Sequence, residues 1–481
     1  MGELYDKLAA YGESDYYPCH MPGHKRRLKG RLPEELIKAD ITEIEGFDNL
    51  HEPKELIKEL QEKAARMYGA EESFFLINGS TAGILSAISA ALPFGGHILM
   101  ARNSHKSAYH AAYLRQLKIS YLYPRQLDGY FVCDGISPKQ VREALEQDMP
   151  EPGTGAVFIV SPTYEGRIAN VQEIARVVHE KGLILMVDEA HGAHLGLAEG
   201  FPMNSNQAGA DIVIHSIHKT LPALTQTALL HVNGDRVDRE RLRRFLHIYQ
   251  SSSPSYLLMA SIDNALDLIE REGKSLFRQF YVHYAEMLER LSECRRLRFL
   301  PWDAEHQDIG KLVIDTARAG ISGRKLYELL LDNYHIQLEM ASQNYCLAMF
   351  TVGDTREGYS RMTEALLEID RELALCDGLS QGKMGRECAS LPEGHRFDTA
   401  IPLARAWDMD WEYVPLEEAA GRHVAEFVNL YPPGIPLLVP GELFTEEFYQ
   451  KVCRYLEEGL SVQGVLPGQD RLQIKCVKRN N

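Results

Sequence analysis

Along the middle of the chain, short and nearly unbroken apolar runs alternate with longer stretches whose apolar positions repeat at helical spacing. The runs are "SFFLING" (73–79), "GHILMA" (96–101), "AVFIVS" (156–161), "LILMVDE" (183–189) and "DIVIHS" (211–216). Each has strand length, is bounded by turn residues and lacks the apolar–polar alternation of a half-exposed strand, so both faces must be covered. Between them "STAGILSAISAAL" (80–92), "SHKSAYHAAYLRQ" (104–116) and "NVQEIARVVHEKG" (170–182) read as helices, the last closed by Gly182. This alternation predicts a parallel sheet with helices on both faces. In such α/β layers ligands gather at the carboxyl ends of the strands.

From about residue 260 the rhythm changes. "PSYLLMASIDNALDLIERE" and "LFRQFYVHYAEMLERLSE" predict long helices, and "GKLVIDT" and "CLAMFTV" predict further strands. "CDGLSQGKMGRECASLPEGHR" (376–396) is rich in Gly and Ser and has no period, which reads as a linker. The expected organisation is an N-terminal segment plus large domain (1–260), a small α+β domain (261–376), a linker (377–395) and a C-terminal α+β domain (396–481).

Composition narrows the class without choosing a function. The 481 residues are 45% hydrophobic and 25% charged, ordinary for a globular protein, and the net charge of −16 argues against a nucleic-acid partner. The N-terminus lacks the basic and apolar regions of a secretory signal, and no apolar run approaches the ~18 residues of a membrane span. The eight cysteines show no metal-ligand or CxxC spacing, so no metal site is expected. These features together lead to a cytoplasmic expectation.

The strand ends carry the chemistry. "NGST" (78–81) puts a Gly, a Ser and a Thr at a helix start. It reads either as a phosphate cradle or as plain helix capping. "NSHKSAYHA" places His105 at a strand-to-helix turn. "VDEAHGAH" places Asp188 at the end of a buried strand, where a carboxylate is costly unless something positive meets it. "HSIHK" places Lys219 one strand further on, where desolvation lowers the amine pKa and leaves a nucleophile toward carbonyls. Ser216 and His218 stand beside it. Each feature alone has a structural explanation. Together they describe a site for pyridoxal 5′-phosphate, which needs a lysine for its aldehyde, an acid for its ring nitrogen and an anion cup for its phosphate. His105 is the candidate for covering the ring face.

"HMPGHK" (20–25), "DITEIEGFDNLHEP" (40–53), "NGSTAG" (78–83), "RNSHKS" (102–107), "SPTYEG" (161–166), "VDEAHGAH" (187–194), "SIHKTLPALTQTALLH" (216–231) and "YPPGIPLLVPGE" (431–442) resemble the Orn/Lys/Arg decarboxylase family. The resemblance covers nearly the whole chain. It implies a fold-type I, aspartate-aminotransferase-like large domain with a mainly parallel sheet, followed by two small α+β domains. It also implies decarboxylation of lysine, arginine or ornithine to the corresponding polyamine-type amine. The long members' N-terminal wing domain is expected to be missing, because "HMPGHK" begins at residue 20.

By the same resemblance Lys219 would bond the cofactor, Asp188 would meet its ring nitrogen, His105 would stack on the ring and Ala190 would lie beneath it. Gly79, Ser80, Thr81, Thr163, Ser216 and His218 complete the cofactor set. Ser252 and Ser253 in "YQSSSPSY" would reach the phosphate of a neighbouring subunit, which implies a homodimer with shared sites. Lys219 and His218 are both candidates for protonating the substrate Cα. Glu442 is a candidate substrate contact, with a loop carboxylate or helix N-cap as its other reading. His20 and His24 would line the entrance, or else belong to a simple Pro-Gly turn. Two alternatives remain: another fold-type I reaction such as amino transfer or elimination, and a catalytically silent regulatory homologue. The second would be expected to have lost Lys219 or Asp188.

Overall fold

The computed structural model describes residues 2–14, 21–22, 25, 33–148, 155–303, 305–375, 401–430, 434–468 and 471–479. The expected linker 377–395, together with His20 and His24, lies outside the described residues.

In chain order the large domain contains α1 (Glu3–Gly12), α2 (Glu34–Ala39), α3 (Leu56–Tyr68), β1 (Glu72–Leu76), α4 (Gly79–Ala91), β2 (His97–Ala101), α5 (Lys106–Leu114), β3 (Lys118–Leu122), α6 (Pro138–Gln147), β4 (Gly155–Val160), α7 (Val171–His179), β5 (Ile184–Asp188), β6 (Ile212–Ser216), α8 (Ile217–Thr220), β7 (Ala228–Val232) and α9 (Arg239–Tyr249). Its sheet runs β1-β7-β6-β5-β4-β2-β3. Only β7 is reversed, pairing antiparallel with both β1 and β6. The expected architecture holds: a mixed, mostly parallel sheet covered by helices.

The unbroken apolar strands are explained by two cores. Met100, Phe158, Met186, Ile212 and Ile214 point to the face covered by α4 and α5. Their neighbours Leu99, Val157, Ile159, Leu185, Val187 and Val213 point to the face covered by α6 and α7. Nearly every apolar position is buried on one side or the other, so no polar alternation survives. Helix α4 lies close to the sheet. A Cβ at Gly83 would stand 2.6 Å from Leu76 Cδ1 and 3.2 Å from Ile214 Cγ2, so any larger residue would push the helix away.

Beyond the large domain come α10 (Tyr256–Leu291), β8 (Arg298–Phe299), β9 (Lys311–Asp315), α11 (Gly323–Tyr334), β10 (Met340–Ala341), β11 (Tyr345–Met349) and α12 (Arg356–Leu375). The four strands form an antiparallel sheet in the order β10-β11-β9-β8. The two long helices expected from the sequence are one helix, α10. Gly273 costs about 1 kcal/mol in a helix interior, but the buried stripe Ile269, Gly273, Phe277, Phe280, Tyr284 continues through it and outweighs that cost.

The C-terminal unit has short antiparallel strands and the helix Glu446–Glu457 around a core of Val414, Phe444, Phe448, Tyr455 and Ile474. It docks on the large domain through α5. Trp407 packs against His110, Tyr113 and Phe427 at ring separations of 5.6, 4.8 and 5.0 Å.

Candidate active site

The carboxyl ends of β1, β2, β4, β5 and β6 open into one cavity of about 790 Å³. Asn78, Gly79, Ser80 and Thr81 line it after β1, His105 after β2, and Asp188, Ala190 and His191 after β5. Ser216, His218 and Lys219 line it after β6. The small domain adds Glu339 and Met349, and the C-terminal unit adds Ile435.

One end of the cavity is built for an anion. Gly79 has φ +72°, a backbone turn that glycine adopts without strain, and it hands the chain from β1 into α4. Helix α4 has no side-chain cap at its N-terminus, so plain capping is not what Ser80 and Thr81 do. Asn78, at the N-cap position, instead accepts a hydrogen bond from the Ser251 N–H at 3.2 Å. Ser216 Oγ is buried and has no hydrogen-bond partner among the described residues. Free helix N–H groups, two hydroxyls and an orphaned third make an anion cradle.

The other end holds a lysine and a carboxylate on neighbouring strands. Strands β5 and β6 pair in parallel, with Asp188 opposite Ile214, and the single turn α8 presents Lys219. Asp188 is 4% exposed, and its carboxylate accepts the Ala190 N–H at 3.1 Å. Burial raises its pKa, opposed by the Lys219 charge. Burial also lowers the Lys219 pKa, opposed by Asp188 and Glu339. Each group therefore lacks a full counter-charge, and a ligand carrying a positive nitrogen beside Asp188 would supply one.

Histidines surround this pair. His105 Nδ1 accepts from Ser107 Oγ at 2.8 Å and from the Ser107 N–H at 3.3 Å, which puts the ring proton on Nε2. Burial, with Lys219 and Lys106 nearby, pushes its pKa down to about 4, so the ring is neutral at pH 7. His218 Nδ1 donates to Thr227 O at 2.8 Å, leaving its Nε2 as a free acceptor. Burial lowers its pKa as well. His191 lies between two lysines, with Nε2 3.1 Å from Lys219 Nζ and Nδ1 2.9 Å from Lys311 Nζ. Tyr164 donates to Glu339, and its ring lies 4.8 Å from that of His191.

Lys219, Asp188, Ala190, His105, Gly79, Ser80, Thr81, Ser216 and His218 thus come together as expected. Others do not. Thr163 is 1% exposed and lies behind the cavity lining, where its hydroxyl accepts the Arg167 N–H at 3.1 Å. Ser252 and Ser253 are exposed in the turn before α10 and do not line the cavity of their own chain.

The expectation for Glu442 is corrected. It is fully buried in an ion pair with Arg102, Oε2 to Nη2 at 2.8 Å, and has no place in the cavity lining. The desolvated guanidinium needs a carboxylate, and Glu442 supplies it. It is neither a substrate contact nor an N-cap; Thr445 caps the following helix.

Sequence reading missed His191, Glu339 and Lys311. His191 sat inside a motif already singled out and follows Asp188 by three positions, which was signal enough. Lys311, on β9, and Glu339, beside β10, arrive from the four-stranded sheet and carried none.

The donor set fits pyridoxal phosphate by its own chemistry: an anion cradle with an unpaired buried hydroxyl, a depressed amine, and a buried carboxylate short of a cation.

Comparison with known proteins agrees. The model of the Orn/Lys/Arg decarboxylase major domain matches residues 3–312, and that of the Orn/Lys/Arg decarboxylase C-terminal domain matches residues 398–479. The chain is similar to an arginine decarboxylase of Bacillus subtilis, 31% identical over 478 residues, covering 96% of this chain and 95% of that one. It is similar also to the uncharacterized protein YaaO of the same organism, 34% identical over 479 residues, with 96% and 95% covered. Its fold resembles the crystal structure of the Francisella novicida lysine decarboxylase LdcF, with TM-score 0.83, 19% identity, and 99% of this chain and 81% of that chain covered.

Proposed function

The chain belongs to the Orn/Lys/Arg decarboxylase family, and from that premise we propose that it uses pyridoxal phosphate to release carbon dioxide from a basic amino acid. It is an amino-acid decarboxylase. The observation that carries the cofactor reading is the meeting of Lys219, Asp188 and the unpaired Ser216 hydroxyl in one cavity. Arginine is the first substrate to test, because the relatives matched over nearly their full length include arginine decarboxylases.

Bound in this cavity, pyridoxal phosphate supplies an electron sink for the bonding pair left behind when the substrate carboxylate departs. Lys219 Nζ would hold the cofactor through its aldehyde. Asp188, buried and short of a counter-charge, would keep a proton on the ring nitrogen. Neutral His105 and Ala190 would line the ring pocket. The N-terminus of α4 with Ser80, Thr81 and Ser216 would hold the phosphate. After carbon dioxide leaves, Lys219 Nζ returns a proton to Cα as general acid. The other candidate, His218, has an Nε2 that accepts rather than donates in this tautomer. Glu339, held by the Tyr164 hydroxyl, faces the cationic end of the substrate in place of Glu442.

The exposed Ser252 and Ser253 fit a role at a neighbouring subunit's phosphate, which makes the working unit a homodimer. The proposed division of the chain remains 1–260, 261–376, 377–395 and 396–481, although α10 crosses the first boundary. No helix among the described residues is long and apolar enough to cross a membrane. We place the enzyme in the cytoplasm, making a polyamine precursor.

The test is release of carbon dioxide from arginine, lysine and ornithine assayed in parallel. Lys219→Ala should lose both this activity and the visible absorption of the bound cofactor. Amino transfer without carbon dioxide from any of the three would refute the decarboxylase reading in favour of another fold-type I reaction.

A further inference from the structure

Lys311 lies on β9, outside the reaction as described above, and is 1% exposed. A buried ammonium normally sits against a carboxylate. Among the described residues, no acidic oxygen comes within 4.0 Å of Lys311 Nζ; its hydrogen bond goes to His191 Nδ1 at 2.9 Å. The other nitrogen of that imidazole lies 3.1 Å from Lys219 Nζ. Three side chains, from β9, the turn after β5 and α8, therefore stand in one hydrogen-bonded line.

The line has two consistent proton arrangements, with the positive charge on one lysine or on the other. A neutral imidazole carries a single N–H. If Lys311 is an ammonium it donates to Nδ1, so the ring proton must be on Nε2. Nε2–H then donates to the lone pair of a neutral Lys219. Burial pushes the Lys311 amine down to about 8, near enough to neutrality for the proton to leave. It holds the His191 pKa well below its usual value, so the ring passes a proton on without keeping it.

We propose that Lys311 is the proton store of this site, positioning a proton for Lys219 through His191. In the transfer the Lys311 Nζ–H bond breaks as His191 Nδ1–H forms, and His191 Nε2–H breaks as Lys219 Nζ–H forms. One positive charge moves from Lys311 to Lys219, and His191 is left as its Nδ1–H tautomer. Lys219 is thus a free amine when it must attack an aldehyde and an ammonium when it must deliver a proton. Several other groups act on the line. Asp188 from β5, His105 before α5, His218 in α8 and Glu339 beside β10 face Lys219. Asp308, Glu165 and Glu339 face Lys311, and the Tyr164 ring lies against His191. None of them bridges the two lysines as His191 does. The inference rests on the reading of Lys219 as the reactive amine.

The experiment measures Lys219 labelling against pH in the full chain freed of cofactor. Reductive methylation at limiting reagent is read out by peptide mass spectrometry, and turnover is measured on the loaded enzyme. Lys311→Met removes charge and proton, so the Lys219 profile should move up by about one pH unit and labelling at pH 7 should fall about tenfold. Lys311→Arg keeps the charge but cannot release a proton. It should label as the parent does, while kcat falls at least about tenfold with KM unchanged. In a His191→Gln background Lys311→Met should lower kcat no further. An unshifted labelling profile in a folded Lys311→Met chain would overturn the proposal. So would parental kcat in Lys311→Arg, or a kcat loss on Lys311→Met that persists without His191. Borohydride reduction of the parent chain with pyridoxal phosphate tests the premise separately. Label on Lys219 supports it, and label elsewhere removes the reading of Lys219, whatever Lys311 does.

Discussion

The Arg102–Glu442 pair makes a demanding prediction, because the sequence had suggested catalysis for one of its members. Both side chains have zero exposure. Arg102, the residue after β2, reaches Glu442 with Nη2 at 2.8 Å and Nε at 3.3 Å, and donates to Pro436 O at 2.7 Å and Leu437 O at 3.1 Å. Glu442 Oε2 also accepts the Val439 N–H at 2.9 Å. Burial works against the Arg102 charge, but the Glu442 carboxylate outweighs it and raises the guanidinium pKa. Removing one member of such a pair leaves an uncompensated buried charge, which costs about 3–5 kcal/mol. Glu442→Gln belongs near 3, because the amide still accepts and Arg102 keeps its carbonyl partners. Arg102→Met belongs near 5, because it strands the Glu442 carboxylate and orphans two carbonyls at ~1–3 kcal/mol each. Arg102→Met with Glu442→Leu should cost less than Arg102→Met alone, since no charge is left stranded, although Pro436 O and Leu437 O stay unpaired. The assay is urea unfolding followed by tryptophan fluorescence, and two of the three tryptophans, Trp407 and Trp411, lie in the C-terminal unit. A Glu442→Gln protein within about 1 kcal/mol of the parent, with KM for the basic amino acid raised instead, would refute the structural role and restore the substrate one.

Three further outcomes follow from the site. Ser216→Ala removes a buried hydroxyl that has no partner, so the cofactor-free chain should gain about 1 kcal/mol in thermal unfolding while cofactor affinity falls about tenfold in a spectroscopic titration. Asp188→Asn should keep the visible band of cofactor bound at Lys219 but lower kcat at least ~100-fold in the carbon dioxide assay, since the ring nitrogen loses its anionic partner. Stability should fall as pH drops from about 6.5 toward 4, by roughly 1.4 kcal/mol per pH unit for each buried neutral histidine. His105 and His215 resist protons down to about 4 and about 3, whereas the unfolded chain takes them up near 6.5. Equilibrium unfolding across that window, repeated with His215→Gln, checks the sign and the slope.

The alternation of apolar runs with helical stretches was sufficient for the large domain. A strand buried on both faces has no polar positions to spare, so its pattern is visible without neighbours. The reversed strand β7 was not legible, because direction within a sheet leaves no mark on an apolar run. The reading of 254–272 and 276–293 as two helices failed at Gly273, where local propensity suggests a break and packing against the core carries the helix through.

The sequence alone determined the chemistry that sits at strand ends. Lys219, Asp188, His105 and the Gly79–Thr81 turn are each fixed by the strand that precedes them, and parallel strands bring their carboxyl ends together by construction. Only the tertiary structure decided what each buried charge meets. Glu442 and Arg102 are 340 residues apart in the chain, and Lys311 and His191 are 120 apart. The role of an ionisable side chain depends on which partner replaces its lost water. That partner is chosen by domain packing, which leaves no local pattern in the chain.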